Sequence, residues 1–214
     1  GTQSKFIVEK YNSVEDKKPE SYKSFSSSEL NAADREAVMK NILDACIFPL
    51  IRQRPFNKVA NPNDVPRDIF VSAYNTAPLS VNVSKVIQNN KDQFQAGLTA
   101  LSKLTGGSVY LSSQKPMEFD NVTNVTIEGP HPAGNVGIQI HHIKPINPGE
   151  VIWTVNAQHV ITIGKLFQNG QYDPGCIVSI GGSGSSNPQT VRALTGSSIG
   201  SLLKDQLLNG SQRI

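Results

Sequence analysis

The stretch VSKVIQNNKDQFQAGLTALSKLTGG, Val83 to Gly107, decides the fold. Ile87, Phe94, Leu98 and Leu101 recur at helical spacing, and Gly106 with Gly107 supplies a stop. One long helix is expected here. Before it stands IFVSAY (Ile69–Tyr74), a short apolar run bounded by turn signals. After it come SVYLSSQ (Ser108–Gln114) and NVTNVTIEG (Asn121–Gly129), both strand-like. Strand, long helix, strand is a βαβ unit, which implies a parallel sheet and a right-handed crossover.

Further along, VIWTVN (Val151–Asn156) reads as a strand with Trp153 in the core. AQHVITIGKLFQNG (Ala157–Gly170) is ambiguous. Its β-branched residues favour a strand, but Val160, Ile163 and Phe167 share a helical face, with Asn156 as cap and Gly170 as stop. The pattern favours a helix. Upstream, NAADREAVMKNILDAC (Asn31–Cys46) predicts a helix capped by Asn31, with Val38, Met39, Ile42, Leu43 and Cys46 as its apolar stripe and Pro49 near its end. The first 28 residues read as one short strand, SKFIVEKY (Ser4–Tyr11), and a polar linker. From Asp173 the composition changes. GCIVSIGG and PQTVRAL are short strands around a Gly/Ser turn, and SSIGSLLKDQLLNG (Ser197–Gly210) is a capped helix. The expected organisation is a linker over 1–28, a Rossmann-like α/β domain over 29–172, and a truncated ββα unit over 173–214.

The totals exclude several classes. Lys and Arg number 20 against 17 Asp and Glu, well mixed, so the surface carries no nucleic-acid footprint. No apolar run is long enough for a transmembrane helix. The two cysteines, Cys46 and Cys176, lie far apart and fit a reducing cytoplasmic setting. Gly1 in place of Met points to a fragment.

EGPHPAGNVGIQIHHI (Glu128–Ile143) holds three of the four histidines. Read as a rigid turn around His131 followed by a strand, it points His141 and His142 to opposite faces. No cysteine or acid recurs nearby at ligand spacing, so no metal site is expected. GGSGSSNP (Gly181–Pro188) lacks the Lys-Ser/Thr ending of a phosphate loop and reads as a hairpin turn. No nucleophile-elbow motif is present, and no catalytic residue is assigned. The Pro- and Asn-rich segment IRQRPFNKVANPNDVPRD (Ile51–Asp68) is the best functional candidate. Read as a loop, it sets Arg52, Arg54 and Lys58 beside Phe48, Leu50 and Phe56. Apolar side chains with a few donors suit a quinone ring and its carbonyl oxygens, or a partner surface.

The motifs RPFNKV, FVSAYNTAPL, FQAGLTALSKLTGGSVYL, EGPHPAGNVGIQIHHI and VIWTVNAQHVITIGKLF occur in this order. Together they resemble the A-subunit of the sodium-translocating NADH:quinone reductases, over about Glu29 to Leu208. The resemblance implies a peripheral subunit on the cytoplasmic face of the bacterial inner membrane, in a complex that couples electron transfer from NADH to ubiquinone with sodium export. It implies a Rossmann-like domain followed by a β-grasp domain, here truncated, and it supports a helix over Ala157–Gln168. The partners it implies are the other subunits and ubiquinone, and Phe48, Arg52, Arg54, Phe56, Lys58 and His131 are the candidates for contact with either. FMN, FAD, riboflavin and iron–sulfur clusters are expected on those other subunits. Flavin-binding relatives carry a glycine-rich loop after the first helix. This chain has CIFPLIRQRPFNKVANP there, without a glycine between Cys46 and Pro62. No cofactor is therefore expected on this chain. Two other readings stay open: a self-sufficient flavoprotein dehydrogenase domain, and a scaffold that never touches quinone.

Overall fold

The computed structural model describes residues 20–208. The strand expected over Ser4–Tyr11 lies outside them. Six strands form one sheet: β1 Ile51–Arg54, β2 Lys58–Val59, β3 Ile69–Ser72, β4 Val109–Ser113, β5 Thr123–Thr126 and β6 Ile152–Asn156, in the order β2-β1-β6-β3-β4-β5. β6, β3, β4 and β5 run parallel, and β1 pairs antiparallel with both β6 and β2. The architecture is α/β, as expected. From β3 the chain goes first to β4 on one side and returns later to β6 on the other. A crevice therefore opens at the carboxyl ends of β3 and β6, where an open α/β sheet holds its ligands.

Alternation along the strands builds two cores. Ile69, Val71, Trp153 and Val155 face one side, in the main cluster. Phe70 and Ile152 face the other, in a smaller one. On the first side lie α2 Arg35–Asp44, α3 Val83–Gln88, α4 Lys91–Ser102 and α6 Ala157–Asn169, whose Val38, Ile42, Ile87, Phe94, Leu98, Leu101, Val160, Ile163 and Phe167 are all buried. Trp153 is fully buried, as its place in the strand implies. α6 begins and ends as the sequence indicates. Asn156 accepts a hydrogen bond from the Gln158 N–H, and Gly170 closes the helix at φ 65°. On the second side lies α5 Val136–Ile143, whose Val136, Ile140 and Ile143 meet Phe70, Tyr110 and Ile152.

Several expectations need correction. GIQIHHI is helical, not a strand: Val136, Ile140 and Ile143 follow i, i+4, i+7 and need one face of a helix to reach Phe70. The helix of Val83–Gly107 is two helices, broken at Asn89–Asn90, and α4 ends at Ser102, ahead of the two glycines. Both asparagines spend their side chains or backbone on local bonds, Asn90 Nδ2 donating to the Val86 carbonyl. Asn31–Cys46 is likewise split. The first helix, α1 Ser27–Ala32, is capped by Ser26 in a capping box with Glu29, and Asp34 caps α2. Leu43 and Cys46 are exposed and leave the apolar stripe. The described end of the expected linker is packed: Phe25 is buried against Phe167, and the backbone N–H groups of Tyr22 and Phe25 donate to Gly170 and Phe167.

The segment Ile51–Asp68 is not one loop. Its first half is the β1–β2 hairpin, because Ile51 and Gln53 turn inward while Arg52 and Arg54 turn to the other face. At the far end, β7 Gly175–Ile180 and β8 Gln189–Leu194 form a separate antiparallel pair. The helix expected after them is short, α7 Ile199–Leu202, capped by Ser198. This unit is fastened to α6. The Gln158 amide donates to the Ile177 carbonyl and accepts from the Ile177 N–H (3.1 and 2.7 Å). Asp173 pairs with Lys165 and Arg192 at 2.7 Å each.

Candidate functional site

The crevice at the switch point is a real cavity, about 570 Å³, within the range of small-molecule sites. β3 and the turn after it supply Ser72, Tyr74 and Asn75. β6 supplies Thr154, Val155 and Asn156, and the first turn of α6 adds Ala157 and His159. The amino end of α5, from Gly134 to Ile138, forms the opposite wall. β1 closes the side with Leu50, Arg52 and Arg54. Arg52 stands beside Thr154 in the ladder and Arg54 beside Ile152, so both guanidinium groups share the face that α5 covers further along.

The wall built by α5 is held by buried polar contacts. Gln139 is 1% exposed; its carbonyl accepts from Ser112 Oγ, and its amide donates to the Ala133 carbonyl. Gly134 lies against Thr76, where an added Cβ would come within 2.5 Å of the Thr76 backbone nitrogen. The turn after β3 and the start of α5 are thus one packed unit. Asn135 precedes α5 without a side-chain cap, and Gly137 has open space where a side chain would be. The Val136 and Gly137 amides, on residues that line the cleft, are thus left without an acceptor among the described residues.

The charge in the cleft is one-sided. Its lining has two arginines and no aspartate or glutamate. Arg52 donates to the Asn57 carbonyl across the hairpin turn, and among the described residues it has no carboxylate partner. The Arg54 side chain has neither a hydrogen bond nor an ion pair among the described residues, and its Nε is sealed from solvent. Burial, and then the neighbouring Arg52 charge, lowers the Arg54 pKa below the usual guanidinium range. His159 is also lowered by burial, against a hydrogen bond to the Leu50 backbone, and stays neutral at pH 7.

The six contact candidates do not meet. Arg52 and Arg54 line the cleft. Phe48 is in the core, edge-on to Trp153 with ring centroids 5.8 Å apart, so it cannot face a quinone. Phe56 stands 83% exposed at the hairpin tip, with Lys58 exposed next to it. His131 is on a separate exposed turn, its Nδ1 3.0 Å from Thr76 Oγ1. Leu50, named beside them, lines the cleft. His141 and His142 lie side by side on α5, ring centroids 5.3 Å apart and both exposed, so they do not point to opposite faces of a strand. Among the described residues no three His, Cys, Asp or Glu side chains converge on a metal position. Ser72, Tyr74, Asn75, Asn135, Asn156 and His159 were not anticipated. The strand ends in FVSAYN and WTVNAQH carried the signal, since ligands sit at carboxyl ends of parallel strands.

Residues 33–172 match a family model described as the NqrA second alpha/beta domain. The chain is 35% identical over 204 residues to the A-subunit of the Na(+)-translocating NADH-quinone reductase of Marinomonas sp. (strain MWYL1), and 36% identical over 206 residues to that of Saccharophagus degradans. Each match covers 94% of this chain and 46% of the relative. The same subunit of Tolumonas auensis is 37% identical over 198 residues, 91% of this chain and 44% of its own length. The chain thus spans less than half the length of these relatives. Among the described residues no helix is long and apolar enough to cross a membrane. The α/β architecture and these matches agree: the chain belongs to the NqrA family, the A-subunits of the sodium-translocating NADH-quinone reductases.

Proposed function

We propose that the chain is a peripheral, flavin-free part of a bacterial sodium-translocating NADH:ubiquinone reductase, lying on the cytoplasmic face of the inner membrane. FMN, FAD, riboflavin and the iron–sulfur centre belong to the other subunits in this reading, and the chain alone does not turn over. One observation carries it. The segment from Cys46 to Pro62, where flavin-binding relatives carry a glycine-rich loop, has no glycine, and it turns the side chains of Leu50, Arg52 and Arg54 into the cleft in place of such a loop. The test is direct: denature the purified chain and assay released flavin fluorescence. No flavin is expected; one FMN per chain would replace this reading with that of a flavoprotein dehydrogenase.

The β1–β2 hairpin is the part that meets the rest of the complex. Phe56 and Lys58 project from its tip, and an aromatic ring so exposed has no role in the core. A second reading, contact with ubiquinone, is favoured by Leu50, Val83, Val136 and Ile138 lining the cleft beside the Arg52 and Arg54 donors. Photoreactive ubiquinone applied to the intact complex should then label a peptide from this cleft. Labelling confined to other subunits would leave the hairpin as a protein contact alone.

A further inference from the structure

We infer that the switch-point cleft is a binding site for a phosphate-bearing small molecule, with Arg52 and Arg54 as its charge partners. Like-charged guanidinium groups two residues apart on one strand face repel each other. Partial burial of Arg54 deepens the cost, because desolvation penalises the charged form. Proteins normally place a carboxylate at such a point, and the lining contains none. Arg54 is left with a buried, unpartnered Nε. This is a cation pair with no counter-ion among the described residues.

The rest of the cleft suits the same ligand. The first turn of α5 adds the Val136 and Gly137 amides, which have no acceptor among the described residues, and the helix dipole adds attraction for an anion. A guanidinium fork matches a phosphoryl group with two parallel hydrogen bonds. Leu50, Val83, Val136 and Ile138 leave apolar wall for the remainder of the molecule. The volume, about 570 Å³, exceeds what a bare phosphate fills and fits a ligand of nucleotide size. A neutral quinone ring could accept hydrogen bonds here but would leave both positive charges unmatched, so this inference goes beyond the contact role proposed above and does not depend on it.

Two sources share this chemistry, a soluble phosphate ester and a lipid headgroup. The experiment titrates the chain at low ionic strength with inorganic pyrophosphate, with AMP, and separately with vesicles containing phosphatidylglycerol. Wild-type, Arg54→Gln, Arg52→Gln/Arg54→Gln and Lys91→Gln chains are compared, Lys91 being an exposed cation outside the cleft. Saturable one-to-one binding is expected, weakened about tenfold or more by Arg54→Gln and unchanged by Lys91→Gln. The ligand should also raise the wild-type melting temperature and not that of the double variant. Arg54→Gln removes a repulsion, so its own melting temperature should not fall. Pyrophosphate or AMP binding assigns the site to a soluble ester; binding to vesicles alone assigns it to a headgroup. Failure of all three probes to bind saturably, or equal weakening by Lys91→Gln, overturns the inference.

Discussion

Asp68 stays charged although its side chain is 1% exposed. It sits just before β3, where its carboxylate accepts hydrogen bonds from Lys144 Nζ (2.7 Å), Arg67 Nε (2.6 Å) and the Ser108 N–H (3.1 Å). Arg67 in turn pairs with Glu150 and donates to the Lys144 and Pro145 carbonyls. One carboxylate thus ties the starts of β3 and β4 to the end of α5. Burial alone would raise its pKa, but the bonds from Lys144, Ser108 and Arg67 outweigh burial and lower it. Asp68→Asn should cost about 2 kcal/mol at pH 7, since it removes the charge from a buried acceptor bonded by Arg67 and Lys144. The cost has a pH signature. A lowered folded pKa gives stability that is fully present above the unfolded value, near 3.9, and lost as pH falls through the folded one. Urea melts of wild type and variant should therefore differ at pH 7 and converge in acid; a gap that persists at low pH would contradict the ionic account. None of this was legible from sequence, where Asp68 reads only as the end of a Pro-rich segment. The arginines were legible as unusual, because three cations among aromatic residues stand out locally. Phe48 was misplaced among them because sequence proximity does not say which side of the sheet a residue faces.

At the scale of elements, α4 and α6 approach closely enough to exclude side chains. A Cβ on Gly97 would stand 2.1 Å from the Val160 carbonyl oxygen, and one on Gly164 would stand 1.7 Å from that of Gln93. Each helix therefore carries a glycine notch for the other's backbone. Alanine at either position gains about 1 kcal/mol of helix propensity and loses more by forcing the helices apart. Gly164→Ala should come out destabilised by about 1–3 kcal/mol in chemical denaturation. A neutral or stabilised variant would mean that the helices can separate freely. The elements best read from sequence were those whose periodicity agreed with their caps, such as α6 with Asn156 and Gly170. Errors arose where local signals competed. β1 is four residues long and its inward positions are Ile51 and Gln53, so the turn residues after it dominated the reading. α5 was read as a strand leaving the turn at His131, and the tertiary contact with Phe70 decided for a helix.

On the scale of the whole molecule, the order of strands places a cleft that no single motif encodes. β1 joins the sheet antiparallel to β6, which sets Arg52 opposite Thr154 and Arg54 opposite Ile152, on the face of the sheet that lines the cleft. The α/β class followed from the βαβ pattern, whereas the cleft required knowing which strands are neighbours. The central claim is that this face serves the reductase and not the fold. The most direct measurement introduces Arg52→Ala and Arg54→Ala together, in the isolated chain and in the complete complex. Stability of the chain should change by less than about 1 kcal/mol, since neither arginine has a carboxylate partner to lose among the described residues. In the complex, ubiquinone reduction or assembly should fall while NADH oxidation by an artificial acceptor persists. A complex with wild-type assembly and quinone reduction, or a chain that unfolds, would contradict the account.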